Sequence, residues 1–391
     1  MKTNTTTSTI VFDPIPFHGG SKVATSAALK QCPETSKLYI LTATPNSWSK
    51  GLPSAHIQTL SIAAVLLKQT TGIGYWLKQF YLTVYLGLFC ARVKMTNKRQ
   101  PLQLVLASGH GVDMAGYWLS ALFAIKITQL IHGPVGKSRL SSYAFRQGHP
   151  TFYLPSAKDS LLALNQDGDS LPRNCLPFVN GLDKQDWPTS IEGSFDSTLQ
   201  IFWAASLLKW KGLSVLDEAL QLNHLDQQFR TRICYIQPKN SHQPQSSLPT
   251  TLQNCVSMQN PKNLDLIRAQ SHLFISTSHQ EPFGLSILEA LAAGLVVIIP
   301  KDGAYWDQQL EHGVDCFKYQ ANDPFALNLL LGQLLLNRPK LAYVACNGQR
   351  HAQRYHAHTC YAPIVDALTS LDTTACRHSS RRALSALRIK S

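Results

Sequence analysis

The sequence predicts an α/β protein of two domains, each built on a mostly parallel sheet. Three observations carry that expectation. The length of 391 residues exceeds what one core usually organises, since domains run to roughly 100–200 residues. Short apolar runs alternate with helical periodicity along the chain, the grammar of βαβ units. Gly or Pro closes almost every run, as it does at strand ends. An apolar fraction of 44% lets both domains pack.

Taken in order, "TIVFDPIPF" opens as a strand and stops at two prolines, and "HGGSKVATSAAL" starts a helix. "KLYILTATP", "LQLVLASG" and "ITQLIHGPVG" read as buried strands, and "TFYLPSAKDSLLAL" as a strand running into a helix. Pro, Gly, Asp and Asn then cluster in "PFVNGLDKQDWPTSIEGS", which places a domain boundary around residues 183–196. After it come the strand "LQIFWAASLL", the helix "GLSVLDEAL", the strand "TRICYIQ", the helix "PKNLDLIRA", the strand "HLFISTS", the helix "GLSILEALAAG" and the strand "LVVIIP". The polar, proline-rich residues 237–250 read as a surface loop.

The net charge of +13 is unevenly spread. Residues 1–180 hold 17 Lys/Arg against 6 Asp/Glu, whereas residues 181–391 hold 19 against 17, part of that surplus in a basic tail with Arg377, Arg381, Arg382, Arg388 and Lys390. The first half is therefore expected to face something anionic: a membrane surface, a phosphorylated acceptor or nucleic acid. Basic residues there are dispersed and no RNA- or DNA-binding motif is visible, so nucleic acid stands as the alternative rather than the expectation. Nine scattered cysteines without a CxxC pair point to reduced thiols and a cytoplasmic protein. The start lacks a signal-like apolar run. Tyr75 to Ala91 is the most lipid-like stretch, but it is short of the ~20 residues a spanning helix needs and includes Lys78. Its aromatic stripes (Tyr81, Tyr85, Phe89; Trp76, Phe80, Val84) read either as core or, with Lys68, Lys78, Arg92, Lys94, Lys98 and Arg99 nearby, as a helix docked peripherally on an anionic membrane.

The segment "EPFGLSILE" brackets a turn and a helix start with Glu281 and Glu289. Helix N-termini leave amides unpaired and carry partial positive charge, so the turn at Phe283, Gly284, Leu285 and Ser286 can hold a diphosphate. Two acids beside a phosphate would repel it unless they are aimed at hydroxyls, as on a sugar. The bland alternative is a loop acid and a solvated helix face.

"EPFGLSILEALAAGLVVI" resembles the signature of the retaining glycosyltransferases of family 4, which have the GT-B fold. "GGSKVA", "FVNGLD", "KWKGL" and "HGVDCF" are similar to further segments of that family, so the resemblance spans residues 10 to about 335. It implies two Rossmann-like domains facing across a cleft: residues 1–185 for the acceptor and 196–345 for a nucleotide-sugar donor, with a helix at 346–370 crossing back and a basic tail at 371–391. It implies that Glu281 binds donor-sugar hydroxyls, that Glu289 binds the ribose, and that Lys211 neutralises the β-phosphate. His132 would lie beside the reacting sugar, and Gly19 and Gly20 would allow close approach to the donor. Where the family has an arginine this chain has Ser206, for which Lys209 is the candidate substitute; an inactive scaffold is the reading that this departure leaves open.

No metal or other cofactor is expected. The rivals are Asp167-x-Asp169, which sits in a polar loop, and the soft ligands His356, His358 and Cys360, which lack a second matched cluster. The acceptor expected is a saccharide or lipid-linked saccharide of cell-surface polysaccharide or lipopolysaccharide assembly. Which nucleotide and which sugar are used is not legible.

Overall fold

The computed structural model describes residues 7–370 apart from 17–18, 35, 49–50, 53, 68, 166–169, 193 and 239–242. The chain divides into two compact units, Met1–Gly181 together with Ala357–Ser391, and Leu182–His356. The basic tail and the Asp167-x-Asp169 pair lie outside the described residues.

The first unit holds strands β1 (Ser8–Asp13), β2 (Lys37–Thr42), β3 (His56–Thr59), β4 (Leu102–Leu106), β5 (Lys126–Ile131), β6 (Thr151–Tyr153) and β7 (Cys175–Pro177). They pair in parallel in the order β3-β2-β1-β4-β5-β6-β7. β1 is buried at every position, as a strand covered on both faces must be, with Ile10 opposite Tyr39 and Leu104. Helices α1 (Gly20–Lys30), α2 (Ala64–Leu67), α3 (Gly72–Thr96), α4 (Met114–Phe123), α5 (Arg139–Arg146) and α6 (Lys158–Leu162) belong to this unit. Ile10, Phe12, Leu104 and Leu106 of the sheet pack with Leu82, Leu86, Cys90 and Val93 of α3 and with Met114 and Leu119 of α4.

The second unit holds β8 (Gln200–Ser206), β9 (Arg230–Ile236), β10 (Cys255–Gln259), β11 (Leu273–Ile275), β12 (Val296–Lys301) and β13 (Phe317–Gln320), parallel in the order β10-β9-β8-β11-β12-β13. Its helices are α7 (Leu213–Gln221), α8 (Leu264–Ala269), α9 (Leu285–Ala293), α10 (Tyr305–Gln309), α11 (Pro324–Leu336) and α12 (Arg338–Ala352). Ile201, Trp203, Leu273, Ile275, Val296 and Ile298 form the sheet side of one core with Leu216, Leu331 and Val344. Pro324 fits the first turn of α11, and the Asp323 carboxylate accepts from the Ala326 amide.

The return to the first unit begins at Ala357 rather than at residue 346. α12 stays in the second unit because Leu341, Val344 and Ala345 complete its core. The returning segment is two short helices, α13 (Ala357–Cys360) and α14 (Ala362–Thr369). The Gln103 side chain donates to the Leu368 carbonyl at 2.7 Å and Lys126 Nζ to that of Ala367 at 2.7 Å. Each sheet reverses direction once, between β1 and β4 in the first and between β8 and β11 in the second. Connections run to opposite sides at such points, so the loops leaving adjacent strands part and open a crevice at their carboxyl ends.

Where the returning chain passes Gly181, space is short: a Cβ there would lie 2.9 Å from both the Cα and the N of Ala357. Gly181→Ala is expected to cost about 1–3 kcal/mol through overpacking, read as a lower midpoint in chemical denaturation.

Candidate active site

In the second unit the reversal point falls between the loop after β8 and the loop after β11. The first loop, a tight turn over Lys209–Lys211, delivers Lys211; the second delivers Glu281. Lys211 Nζ and a carboxylate oxygen of Glu281 form an ion pair, their side chains 16% and 15% exposed. The ammonium also lies 4.1 Å from the centroid of the Trp210 ring, a cation–π contact.

Thr277 fixes the relation between these loops. Its hydroxyl donates to the Lys211 carbonyl at 2.8 Å and accepts from the Trp203 indole at 3.0 Å. The His279 amide adds a bond to the Trp210 carbonyl at 2.8 Å. Gly212 is required at this crossing, because its φ is +68° and a Cβ would fall 2.1 Å from the Thr277 carbonyl oxygen.

Glu281 leads into α9, entered through Gly284 at φ +74° and ψ 76° with no side-chain cap on the helix. The first amides of a helix have no intrahelical partner, so at Leu285 and Ser286 they are available to an anion. A small hollow bounded by Ser276, Ser278, Glu281, Asp302 and Trp306 opens beside the turn. Asp302 shapes it by accepting from the amides of Gln280 at 2.6 Å and Ala304 at 2.9 Å, and Gln280 takes the left-handed φ of +45°.

Phe283 has a packing role of its own in the turn. Its side chain is 2% exposed and packs on Tyr305, Trp306 and Tyr355 at centroid distances of 4.9, 5.3 and 6.2 Å, so it anchors the turn from below.

Glu289 is partly exposed at 29% and pairs with Arg268, whose guanidinium is 7% exposed. Arg268 reaches Asp265 at 2.8 Å with its other terminal nitrogen, and Asp265 in turn accepts from the Thr189 hydroxyl at 2.6 Å. Burial raises the Glu289 pKa while Arg268 pulls it back down. Lys209, the candidate substitute for the arginine, has an exposed side chain and uses its amide to bond the Pro244 carbonyl at 2.8 Å. Lys211 is the lysine that meets Glu281.

The remaining expected residues belong to the first unit. His132 follows β5, and its Nε2 lies 2.9 Å from the Thr25 hydroxyl of α1 while its ring edges Phe178. Burial pushes its pKa down to about 4, so the ring is neutral at pH 7. Gly19 is extended (φ −153°, ψ 167°) and a Cβ on Gly20 would meet nothing within 4 Å. Neither backbone needs glycine for its conformation; what Gly20 leaves is open space at the uncapped start of α1. Among the described residues no group of three His, Cys, Asp or Glu can hold a metal, and the His356 ring stacks on Trp187 at 4.4 Å instead.

Sequence reasoning missed a polar cluster at the β1 and β4 ends. Lys22, inside "GGSKVA", is 4% exposed and pairs with Asp13 at 2.8 Å, and Asp13 also accepts from Thr42 at 2.6 Å and Trp48 at 2.8 Å. Burial lowers the Lys22 pKa, opposed by Asp13. Asp113 is fully buried with its carboxyl pushed up to about 7 by desolvation, against hydrogen bonds from Gln129 and Ser108. His110, also fully buried, has neither ring nitrogen hydrogen-bonded among the described residues. A charged residue within an apolar segment was the available signal for Lys22.

These features define the GT-B class: two parallel-sheet units, each with its reversal point at the strand ends, and a helix N-terminus at the second. Residues 190–351, nearly the whole second unit, match the family described as Glycosyl transferases group 1. Among solved structures, HepE of Anabaena in complex with UDP-glucose is 17% identical, covering 93% of this chain and 100% of that one with a TM-score of 0.69. A glycosyltransferase from Rickettsia africae is 15% identical, with 94% and 100% coverage and a TM-score of 0.69. The lipopolysaccharide outer core galactosyltransferase WaaB is 12% identical, with 93% and 99% coverage and a TM-score of 0.63. At these identities the likeness is one of fold. No curated protein matches the chain.

Two outcomes follow. Gly212→Ala is expected to cost at least about 2 kcal/mol, from the left-handed backbone and the clash with Thr277 together, measured by denaturant unfolding. The second concerns His110, whose pKa burial lowers to about 4 from 6.5. Between those values the unfolded chain binds the proton and the folded one does not, so this histidine's contribution rises with pH across the window and is constant above it. Asp113, with its raised pKa, runs the other way, so the difference from His110→Phe is the informative quantity. The wild type should gain on that variant by up to about 3 kcal/mol as pH rises from about 4 to 6.5, in unfolding measured along a pH series.

Proposed function

We propose that the protein is a retaining, metal-independent glycosyltransferase of the cytoplasm. It moves a sugar from a nucleotide-sugar donor to a saccharide or lipid-linked saccharide acceptor in cell-surface polysaccharide or lipopolysaccharide assembly. The observation that carries this reading is the Lys211–Glu281 pair beside the uncapped start of α9 at the β8/β11 reversal point.

Each part has a use in that reaction. The amides at Leu285 and Ser286, together with Lys211, take the donor's diphosphate and stabilise the charge that grows on it as the bond to the anomeric carbon breaks. These groups supply positive charge from the protein itself. Glu281, released from Lys211, accepts from the sugar's hydroxyls and orients the ring. Glu289, held by Arg268, faces the ribose hydroxyls. The departing phosphate oxygen takes the acceptor hydroxyl's proton, and the new glycosidic bond forms on the face the nucleotide leaves. His132, neutral, offers the acceptor side a hydrogen bond without a charge. The UDP-glucose bound in HepE supports a UDP-linked hexose as the donor to try first.

UDP-glucose is expected to raise the melting temperature, since ligand at a hundredfold excess over its Kd stabilises by about 2.7 kcal/mol. Lys211→Met should abolish most of that shift, and NMR of the product should show the donor's anomeric configuration kept. If no UDP-, GDP- or ADP-sugar shifts the wild-type melting point, the donor site is misassigned; binding without turnover would mark an inactive scaffold.

A further inference from the structure

α3 carries apolar side chains on two opposite faces, which for a helix means either complete burial or a second partner. It is not completely buried. Leu82, Leu86, Cys90 and Val93 face the core, yet Ile73 (81% exposed), Leu77 (58%), Phe80 (67%), Val84 (46%), Leu88 (69%) and Met95 (72%) do not. At 100° per residue these six fall in one stripe roughly 80° wide, opposite the buried face. From Ile73 to Met95 the stripe runs about 33 Å along the helix. Leu122 and Phe123, at the end of α4, add further exposed apolar surface at 71% and 67%.

Charge selects the occupant. Residues 35–112 contain no Asp or Glu. Arg92, Lys94, Lys98 and Arg99 are exposed around the C-terminal end of the stripe. A second copy of this chain seated on the stripe would bring basic surface against basic surface with no carboxylate of the segment to compensate. A nucleic acid would satisfy the cations and leave the apolar stripe in water. An anionic lipid surface meets both demands, the side chains entering the acyl boundary and the cations meeting headgroups.

We propose that the outward stripe of α3 is a docking face for an anionic membrane, on which the first unit lies peripherally with α3 in the interfacial plane. No helix among the described residues is long and apolar enough to cross a membrane, so the attachment is reversible. The residues of the two stripes named from the sequence divide accordingly: Tyr85 and Phe89 pack against the core, the Tyr81 hydroxyl is tied to the Ser61 carbonyl, Trp76 stacks on Trp118, and Phe80 and Val84 belong to the outward stripe. Nothing in this inference depends on the donor site, so it stands or falls apart from the catalytic reading.

The experiment is co-sedimentation of the full chain with phosphatidylcholine vesicles, with and without phosphatidylglycerol. The expected result is binding that needs phosphatidylglycerol and weakens as salt rises. The triple variant Leu77→Ser, Phe80→Ser, Leu88→Ser should keep the wild-type melting temperature, these side chains being outside the core, and bind roughly tenfold less or worse. Arg92→Gln with Lys94→Gln should flatten the salt dependence. Three results would overturn the proposal: no sedimentation at low salt, equal sedimentation by the triple variant, or a wild-type dimer in solution that the triple variant turns into a monomer. Displacement from the vesicles by an oligonucleotide that the triple variant binds equally well would also overturn it, in favour of nucleic acid.

Discussion

The second unit's site depends on one hydroxyl. Thr277 accepts from the Trp203 indole inside the core and donates to the Lys211 carbonyl at the surface, joining the loops that leave β8 and β11. Adjacent parallel strands whose connections run to opposite sides would otherwise release those loops in divergent directions. The tie is possible because Gly212 lets the backbones touch. From it follow the place of Lys211, its meeting with Glu281, and the approach of both to the first turn of α9. A site on a rigid strand-end framework keeps its geometry better than one on free loops.

Two carboxylates flank the uncapped start of α9, and each is paired with a cation. Glu281 is matched by Lys211 and Glu289 by Arg268. Arg268 is held in turn by Asp265, so Glu289 rests on a chain of partners rather than in open solvent. The acids can therefore stand near a diphosphate without an uncompensated negative charge.

Much of this was legible beforehand, and what was missed has physical causes. The βα grammar of the central strands shows in runs such as "LVVIIP" because a parallel strand covered on both faces must be apolar throughout. The edge strands β3 ("HIQT") and β10 ("CVSMQ") are half in water and leave no such run, so neither was read as a strand. "EPFGLSILE" announced a turn and a helix start because chain-local chemistry sets both. Arg268 lies 21 residues from its partner Glu289, and no local pattern reports such a pairing. The cluster around the Phe283 ring was hidden for the same reason: the turn it sits in is local, but its partners Tyr305, Trp306 and Tyr355 come from further along the chain. The long aromatic helix left two readings open because spacing alone does not say which face of an apolar cylinder is covered.

The discontinuity of the first unit has a consequence for how the chain is made. Its sheet is threaded by residue 177, yet Gln103 and Lys126 wait for carbonyls at Leu368 and Ala367. On a ribosome the N-terminal sheet must stand while the whole intervening unit is synthesised, part of its apolar flank uncovered until α14 emerges. Truncation anywhere before α14 therefore removes the closing piece of the part translated first, and the nascent chain's most vulnerable interval is set by the length of the insertion rather than by its own topology.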